Sequence, residues 1–189
     1  MKKYLNANNM LFPMPVLIIS TYNDDGSVDC MNAAWGTLED SDLVLLELTP
    51  DHLTSKNIIR NKAFTIAFAD SKNIVACDYV GLVSGNTDKD KFKNTSWHVT
   101  KSEKVNAPII DELPITLECE LDHISTENDA FIVYGKIKGV AVEESLLTAE
   151  GKLDLSKANL VIYNSADHTY RLVGDVVAKA FNCGLKLKK

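Results

Sequence analysis

Apolar residues alternate with polar ones along much of this chain, and helical spacing is confined to a few short segments. The clearest alternation covers residues 115–124, where Ile115, Leu117, Cys119 and Leu121 share one face. Thr, Glu and Asp side chains occupy the other face, a pattern typical of a half-exposed antiparallel strand. Continuous apolar, β-branched runs favour buried strands. They occupy residues 16–22, 43–49 and 63–69.

Turn signals organise these runs into hairpins. Asp25-Gly26 separates the first run from residues 27–33 and predicts a tight hairpin. Residues 131–142 pair with 115–124 in a long hairpin, with Gly135 and Gly139 marking bulges. Short strands are predicted at 97–101, 160–163 and 170–173.

Three helices complete the prediction. One follows Thr54 and Ser55, which are suitable N-cap residues. A second covers residues 73–83 and ends at Ser84-Gly85, where glycine suits the C-cap. A third covers residues 175–181 near the end of the chain, whereas residues 146–157 are weakly helical at best.

This pattern predicts one mainly β domain over residues 1–189, with short helices and a closed or partly closed Greek-key barrel. The sequence contains no alternating strand-helix-strand units and no GxGxxG motif. A Rossmann dinucleotide-binding fold is therefore disfavoured.

The charge distribution narrows the range of partners. The net charge is −6, and lysines and arginines are scattered, so nucleic acid is not expected as a main partner. The apolar runs fall short of the roughly 20 residues that a membrane-spanning helix requires. No signal peptide is evident after Met1, and we expect a cytoplasmic protein that does not enter the membrane.

Cysteine spacing gives no support for a metal site. Cys30, Cys77, Cys119 and Cys183 are far apart, without a CxxC pair or a histidine at metal-ligand spacing. Disulfides are also not expected in a cytosolic chain. Cys119 is interpreted as a core residue, and the role of Cys30 stays open because it adjoins the candidate site.

Two polar stretches suggest a binding site. Thr54, Ser55, Lys56 and Asn57 follow a strand at the start of a helix, where free backbone N–H groups bind anions. An ordinary capped surface helix is the alternative. In residues 31–35, small side chains would let a flat ligand approach closely, although Trp35 could instead pack this strand end on the core.

Segments throughout the chain, in their order and spacing, resemble the flavin reductase-like family of FMN-binding split β-barrels, and within it the flavoredoxin-like proteins. The segments are Pro15-Val-Leu-Ile-Ile-Ser-Thr21, Asp25-Gly26, Met31-Asn-Ala-Ala-Trp-Gly36, His52-Leu-Thr-Ser-Lys-Asn-Ile58, Ala63-Phe-Thr-Ile66, Asp78-Tyr-Val-Gly-Leu-Val-Ser-Gly85, Asp90-Lys-Phe92 and Tyr170-Arg-Leu-Val-Gly174.

The resemblance implies FMN in a groove at the barrel surface, near the interface of a homodimer. Residues 31–34 would follow the edge of the flavin ring, and two loops would hold the phosphate. The residues expected to contact the cofactor are Met31, Asn32, Ala33, Ala34, Trp35, Thr49, Thr54, Ser55, Lys56, Asn57, Ser84, Gly85 and Lys91. His52 is interpreted as a surface residue, and Tyr163, His168 and Tyr170 as packing residues rather than a cover over the flavin.

Three functions agree with this interpretation. Because no triad, carboxylate pair or metal cluster is visible, no side chain is assigned a catalytic role, and bound FMN would carry the redox chemistry. The first hypothesis is an FMN-dependent oxidoreductase that takes electrons from NAD(P)H. The second is a flavoredoxin-type carrier whose acidic surface docks a basic redox protein. The third is a non-enzymatic barrel that serves as a binding module.

Overall fold

A seven-stranded antiparallel sheet forms the centre of the computed structural model, which describes residues 1–6 and 10–188. The strands of this sheet are β2 (Leu17–Tyr22), β3 (Val28–Ala33), β4 (Gly36–Asp40), β5 (Leu43–Glu47), β6 (Ala63–Phe68), β9 (Ile115–Ser125) and β10 (Ile132–Val142). The sheet curls into a half-barrel with the strand order β3-β2-β6-β9-β10-β5-β4. The predicted mainly β barrel is confirmed.

Two smaller sheets and two helices surround this half-barrel. β1 (Met14–Pro15), β11 (Val161–Asn164) and β12 (Thr169–Leu172) form one sheet, and β7 (Val99–Lys101) pairs with β8 (Pro108–Ile110). The helices are α1 (Leu53–Asn61) and α2 (Ile74–Leu82).

Both faces of β2 and β6 are buried, which explains their continuous apolar sequences. In β2, Ile18 packs into one core cluster with Cys30 and Val80. Its neighbour Ile19 packs into the opposite cluster with Phe64. Because successive side chains of a strand point to opposite faces, a strand covered on both sides has no polar alternation.

The long hairpin of β9 and β10 contains the predicted bulges. Its register shifts between Tyr134 and Gly135, and again between Ile137 and Gly139. A Cβ atom on Gly135 would overlap the ring of Phe64, so glycine also allows the close approach of β10 to the core.

The helix ends differ from the sequence prediction. The N-cap of α1 is His52, so the expected caps Thr54 and Ser55 lie inside the first turn. The Ser55 hydroxyl donates instead to the Thr49 carbonyl oxygen at 2.8 Å. α2 ends with Val83 as C-cap, so the expected cap Gly85 lies outside the helix.

Two further differences concern whole elements. β4 was not expected, and residues 175–181 do not form the predicted helix. The latter residues are exposed throughout. A helix of this length needs an apolar face packed against a core, because its own hydrogen bonds do not stabilise it. Residues 146–157 contain parts of two short 3₁₀ turns.

Candidate functional site

A groove runs along the end of β3, between the start of α1, the end of α2 and the β11–β12 hairpin. It consists of an outer cavity of about 650 Å³ and an inner cavity of about 160 Å³. The two cavities adjoin each other because they share lining residues. The shared residues are Met31, Asn32, His52, Gly81 and Leu82.

The end of β3 forms one wall of the outer cavity. The Asn32 side-chain amide donates to the Cys77 carbonyl oxygen at 3.0 Å and ties this strand to α2. A Cβ atom on Gly81 would lie 3.0 Å from Asn32 Cβ, so glycine allows the helix to pack closely here. Trp35 is 59% exposed, which contradicts the alternative that it packs this strand end on the core.

The β11–β12 hairpin forms the opposite wall of the outer cavity. Tyr163 Oη and His168 Nδ1 are 2.6 Å apart, and the Tyr170 hydroxyl donates to Asp78 Oδ1 at 2.6 Å. Burial, together with this bond to a carboxylate, raises the pKa of Tyr170. The two tyrosine rings lie 6.1 Å apart and tilted. These side chains therefore line the groove, which sequence reasoning had considered the less favoured interpretation.

The inner cavity is built around a buried carboxylate. Asp29 is 3% exposed and Lys91 is 4% exposed, with Lys91 Nζ at 3.5 Å from Asp29 Oδ1. The Thr54 hydroxyl donates to Asp29 Oδ2 at 2.5 Å. A Cβ atom on Gly85 would overlap Asp29 Oδ1. The carboxylate therefore connects β3, the first turn of α1 and the segment after α2.

The structure brings most of the predicted contact residues to this groove. Met31, Asn32, Ala33, Ala34, Trp35 and Thr49 line the outer cavity. Thr54, Ser84, Gly85 and Lys91 line the inner cavity.

Ser55, Lys56 and Asn57 line neither cavity, so the structure does not place the side chains of residues 54–57 together along the groove. Lys56 is exposed, with Nζ 3.5 Å from Asn86 Oδ1. Asn57 is buried, and its amide donates to Thr21 Oγ1 and to Asn23 Oδ1. Successive helical residues point about 100° apart, so four in a row do not face one ligand.

Several groove residues had been assigned no contact. His52 is exposed, as its interpretation as a surface residue predicts, and it also lines both cavities because it is the residue at which α1 begins. Asp29 had no assigned role, because an aspartate in a hairpin strand carries no sequence signal of burial. Glu47, Asp78, Gly81 and Leu82 also line the groove without having been assigned contacts.

The cysteines near the groove are buried free thiols. Cys30 and Cys77 lie in the core behind it, and burial raises the pKa of each to about 12. A thiol with so high a pKa stays protonated at neutral pH and is a poor nucleophile. Cys30 is therefore a core residue, as is Cys119, whose predicted position in the core is confirmed.

Within residues 1–6 and 10–188, no group of three or more His, Cys, Asp or Glu side chains could hold a metal ion. None of the helices in this described part combines the length and the hydropathy that crossing a bilayer requires.

Comparison with known proteins identifies the family. The flavin reductase like domain matches residues 9–170. The flavoredoxin of Desulfovibrio vulgaris (Miyazaki F) is 32% identical, with a TM-score of 0.91 over 97% of this chain and 100% of that chain. The flavoredoxin from Methanosarcina acetivorans is 27% identical, with a TM-score of 0.88 over 99% of each chain.

A curated relative extends this comparison over part of the chain. An uncharacterised protein of Aeropyrum pernix is 23% identical over 133 residues, which are 69% of this chain and half the length of that protein. The family match covers both walls of the groove, and the two flavoredoxins match almost the whole chain. This chain therefore belongs to the flavin reductase-like domain family and has the split-barrel fold of the flavoredoxins.

Proposed function

We propose that this chain binds FMN along the groove and acts as an electron-transferring oxidoreductase. The flavin ring would occupy the outer cavity, and the phosphate would occupy the inner cavity. The observation that carries this proposal is the shape of the groove: a large cavity with small side chains adjoins a small cavity that is lined by a buried lysine. Membership in the flavin reductase-like family supports the same ligand.

The outer cavity suits a flat ring. Its volume of about 650 Å³ is in the range of small-molecule sites. β3 is the edge strand of the sheet, so the backbone groups on its free side have no neighbouring strand and can contact ring heteroatoms. Ala33 and Ala34 leave this wall flat, and Trp35 adds an aromatic side chain at the rim.

The inner cavity suits a phosphate group. α1 begins at its wall, and the first backbone N–H groups of a helix have no partner within the helix. Lys91 supplies a cation, and the Ser84 hydroxyl is a further donor. FMN, when bound, supplies the redox chemistry, and these residues bind and orient it.

Two redox partners are candidates for exchanging electrons with the flavin, and the charges of the outer cavity favour one of them. The first candidate is NAD(P)H. Among the described residues that line this cavity, however, Glu47 and Asp78 carry carboxylates and none is a lysine or arginine. The diphosphate of a dinucleotide would therefore approach like charges without a compensating cation. This observation favours the second candidate, a basic redox protein as in a flavoredoxin-type carrier.

The ligand is tested by titration of the apoprotein with FMN. We expect quenching of flavin fluorescence that saturates at one FMN per chain, and a visible flavin spectrum that stays with the protein after gel filtration. A protein that neither quenches FMN nor gains thermal stability from it would instead agree with the binding-module hypothesis.

The partner is tested separately with the FMN-loaded protein under anaerobic conditions. We expect slow bleaching by NADH or NADPH. After reduction by dithionite, we expect rapid reoxidation by cytochrome c, a basic redox protein, with a rate that falls as salt is added. Rapid bleaching by either nicotinamide would restore the first candidate.

A further inference from the structure

The side chain of Asp29 occupies the position of an anion inside the inner cavity. It accepts a hydrogen bond from Thr54 and faces the ammonium of Lys91. These are two of the donors that the sequence assigned to a ligand phosphate. Asp29 and Lys91 are both nearly inaccessible to solvent, so their charges are poorly screened by water.

The pair leaves the side chains of the inner cavity without a surplus of positive charge. Among the described residues that line it, Asp29 and Lys91 are the charged side chains, and His52 is a further titratable group. A phosphate dianion would therefore be attracted by Lys91 and repelled by Asp29. The neutral hydroxyl at the end of riboflavin would be affected little by either charge.

We propose that Asp29 is an internal anion that shares Lys91 with the ligand and thereby lowers the preference of the groove for FMN over riboflavin. This inference rests on the proposed function. Asp29 acts through Lys91 and through direct repulsion of the phosphate, so it determines specificity without taking part in electron transfer.

Asp29→Asn tests the proposal because asparagine has the same shape and can still accept the bond from Thr54. The substitution leaves Lys91 unpaired in the apoprotein, which destabilises it, whereas a bound phosphate would satisfy the lysine. We expect the Kd for FMN to fall at least about tenfold and the Kd for riboflavin to change less than about threefold. The melting temperature of the apoprotein should fall while its increase on FMN addition becomes larger.

Two further variants make this result specific. In Asp29→Asn with Lys91→Gln, both charges are removed, and we expect most of the gain in FMN affinity to be lost. Asp42→Asn is the matched control, since Asp42 pairs with Lys136 on the surface at 2.7 Å and lines neither cavity. This control should leave the ratio of the two dissociation constants unchanged.

The unmodified protein provides a test that does not depend on the folding of a variant. We expect it to prefer FMN over riboflavin by less than about tenfold. A preference above about a hundredfold, or an Asp29→Asn variant whose FMN preference is unchanged or lower, would overturn the role of Asp29. Binding of neither flavin to the unmodified protein would instead overturn the proposed function.

Discussion

The two cavities of the groove differ in how their polar groups are satisfied. In the inner cavity, Thr54 and Lys91 both contact the Asp29 carboxylate, and all three side chains are almost completely buried. In the outer cavity, Trp35 and Glu47 are exposed at the rim. The inner cavity is therefore part of the folded core, and its substitutions should change stability and binding together. Substitutions at the outer rim should change binding with little effect on stability.

Lys91→Met is expected to have the largest effect of the variants considered. Methionine retains much of the length of lysine but leaves the buried Asp29 carboxylate without a counter-charge. Removing one partner of a buried ion pair typically costs about 3–5 kcal/mol. We therefore expect a loss of this size in the free energy of unfolding, measured by equilibrium urea denaturation, together with weaker FMN binding.

Lys93→Met is the matched control for this variant. Lys93 pairs with Asp90 at 2.6 Å, but both side chains are largely exposed, and surface pairs contribute little to stability. We expect no measurable change in unfolding for the control. Equal losses in both variants would show that burial of the Asp29–Lys91 pair has no special consequence.

Gly85→Ala tests the packing of the inner cavity with a smaller change. The added Cβ would overlap Asp29 Oδ1 and lie 3.0 Å from Leu53 Cδ2. Overpacking of this kind costs about 1–3 kcal/mol. Thermal unfolding should show this loss, and FMN titration should show lower affinity. Gly174→Ala is the control, because a Cβ there would have no atom within 4 Å. If Gly85→Ala changed neither the melting temperature nor the FMN affinity, the residues around the inner cavity would accommodate the added methyl group without loss.

The fold was largely predictable because strand periodicity is a local property of the sequence. The apolar runs at β2 and β6 and the alternation at β9 all identified strands. The prediction of a helix at residues 175–181 was wrong because the spacing of apolar residues does not show whether a core is available for the helix to pack against. These residues are exposed.

Residues 31–35 and Gly85 lie along the groove as expected, because small residues and glycines mark positions of close approach in a sequence. The sequence does not show that Lys56 and Asn57 line neither cavity, because the rotation of α1 separates neighbouring side chains. Asp29 was missed because its partners come from distant parts of the chain, Thr54 in α1 and Lys91 after α2. Such a pairing is a property of the tertiary structure.

Trp35→Ala tests the outer cavity. Because Trp35 is largely exposed, we expect little change in unfolding, but loss of its aromatic contact should weaken FMN binding by about 1 kcal/mol, or roughly fivefold. Leu38→Ala is matched to it, since Leu38 is also 59% exposed and lines neither cavity. Fluorescence titration should separate the two variants. Equal affinities would place the flavin ring elsewhere.

Tyr170→Phe should have the smallest effect and a distinctive pH dependence. It removes the hydroxyl that donates to Asp78, a partly exposed bond for which we expect a loss of about 0.5 kcal/mol near neutral pH. The pKa of Tyr170 is raised above its ordinary value of 10.0 in the folded chain. Its contribution to stability is therefore complete below about pH 10 and declines as the pH rises toward the raised folded value.

Urea denaturation of both proteins at pH 8 and at pH 11 should show the wild-type advantage at the lower pH and a smaller or reversed difference at the higher pH. If the two proteins differ in unfolding free energy by the same amount at pH 8 and at pH 11, Tyr170 has the same pKa in the folded and unfolded chains. In that case neither burial nor the bond to Asp78 raises the pKa of Tyr170.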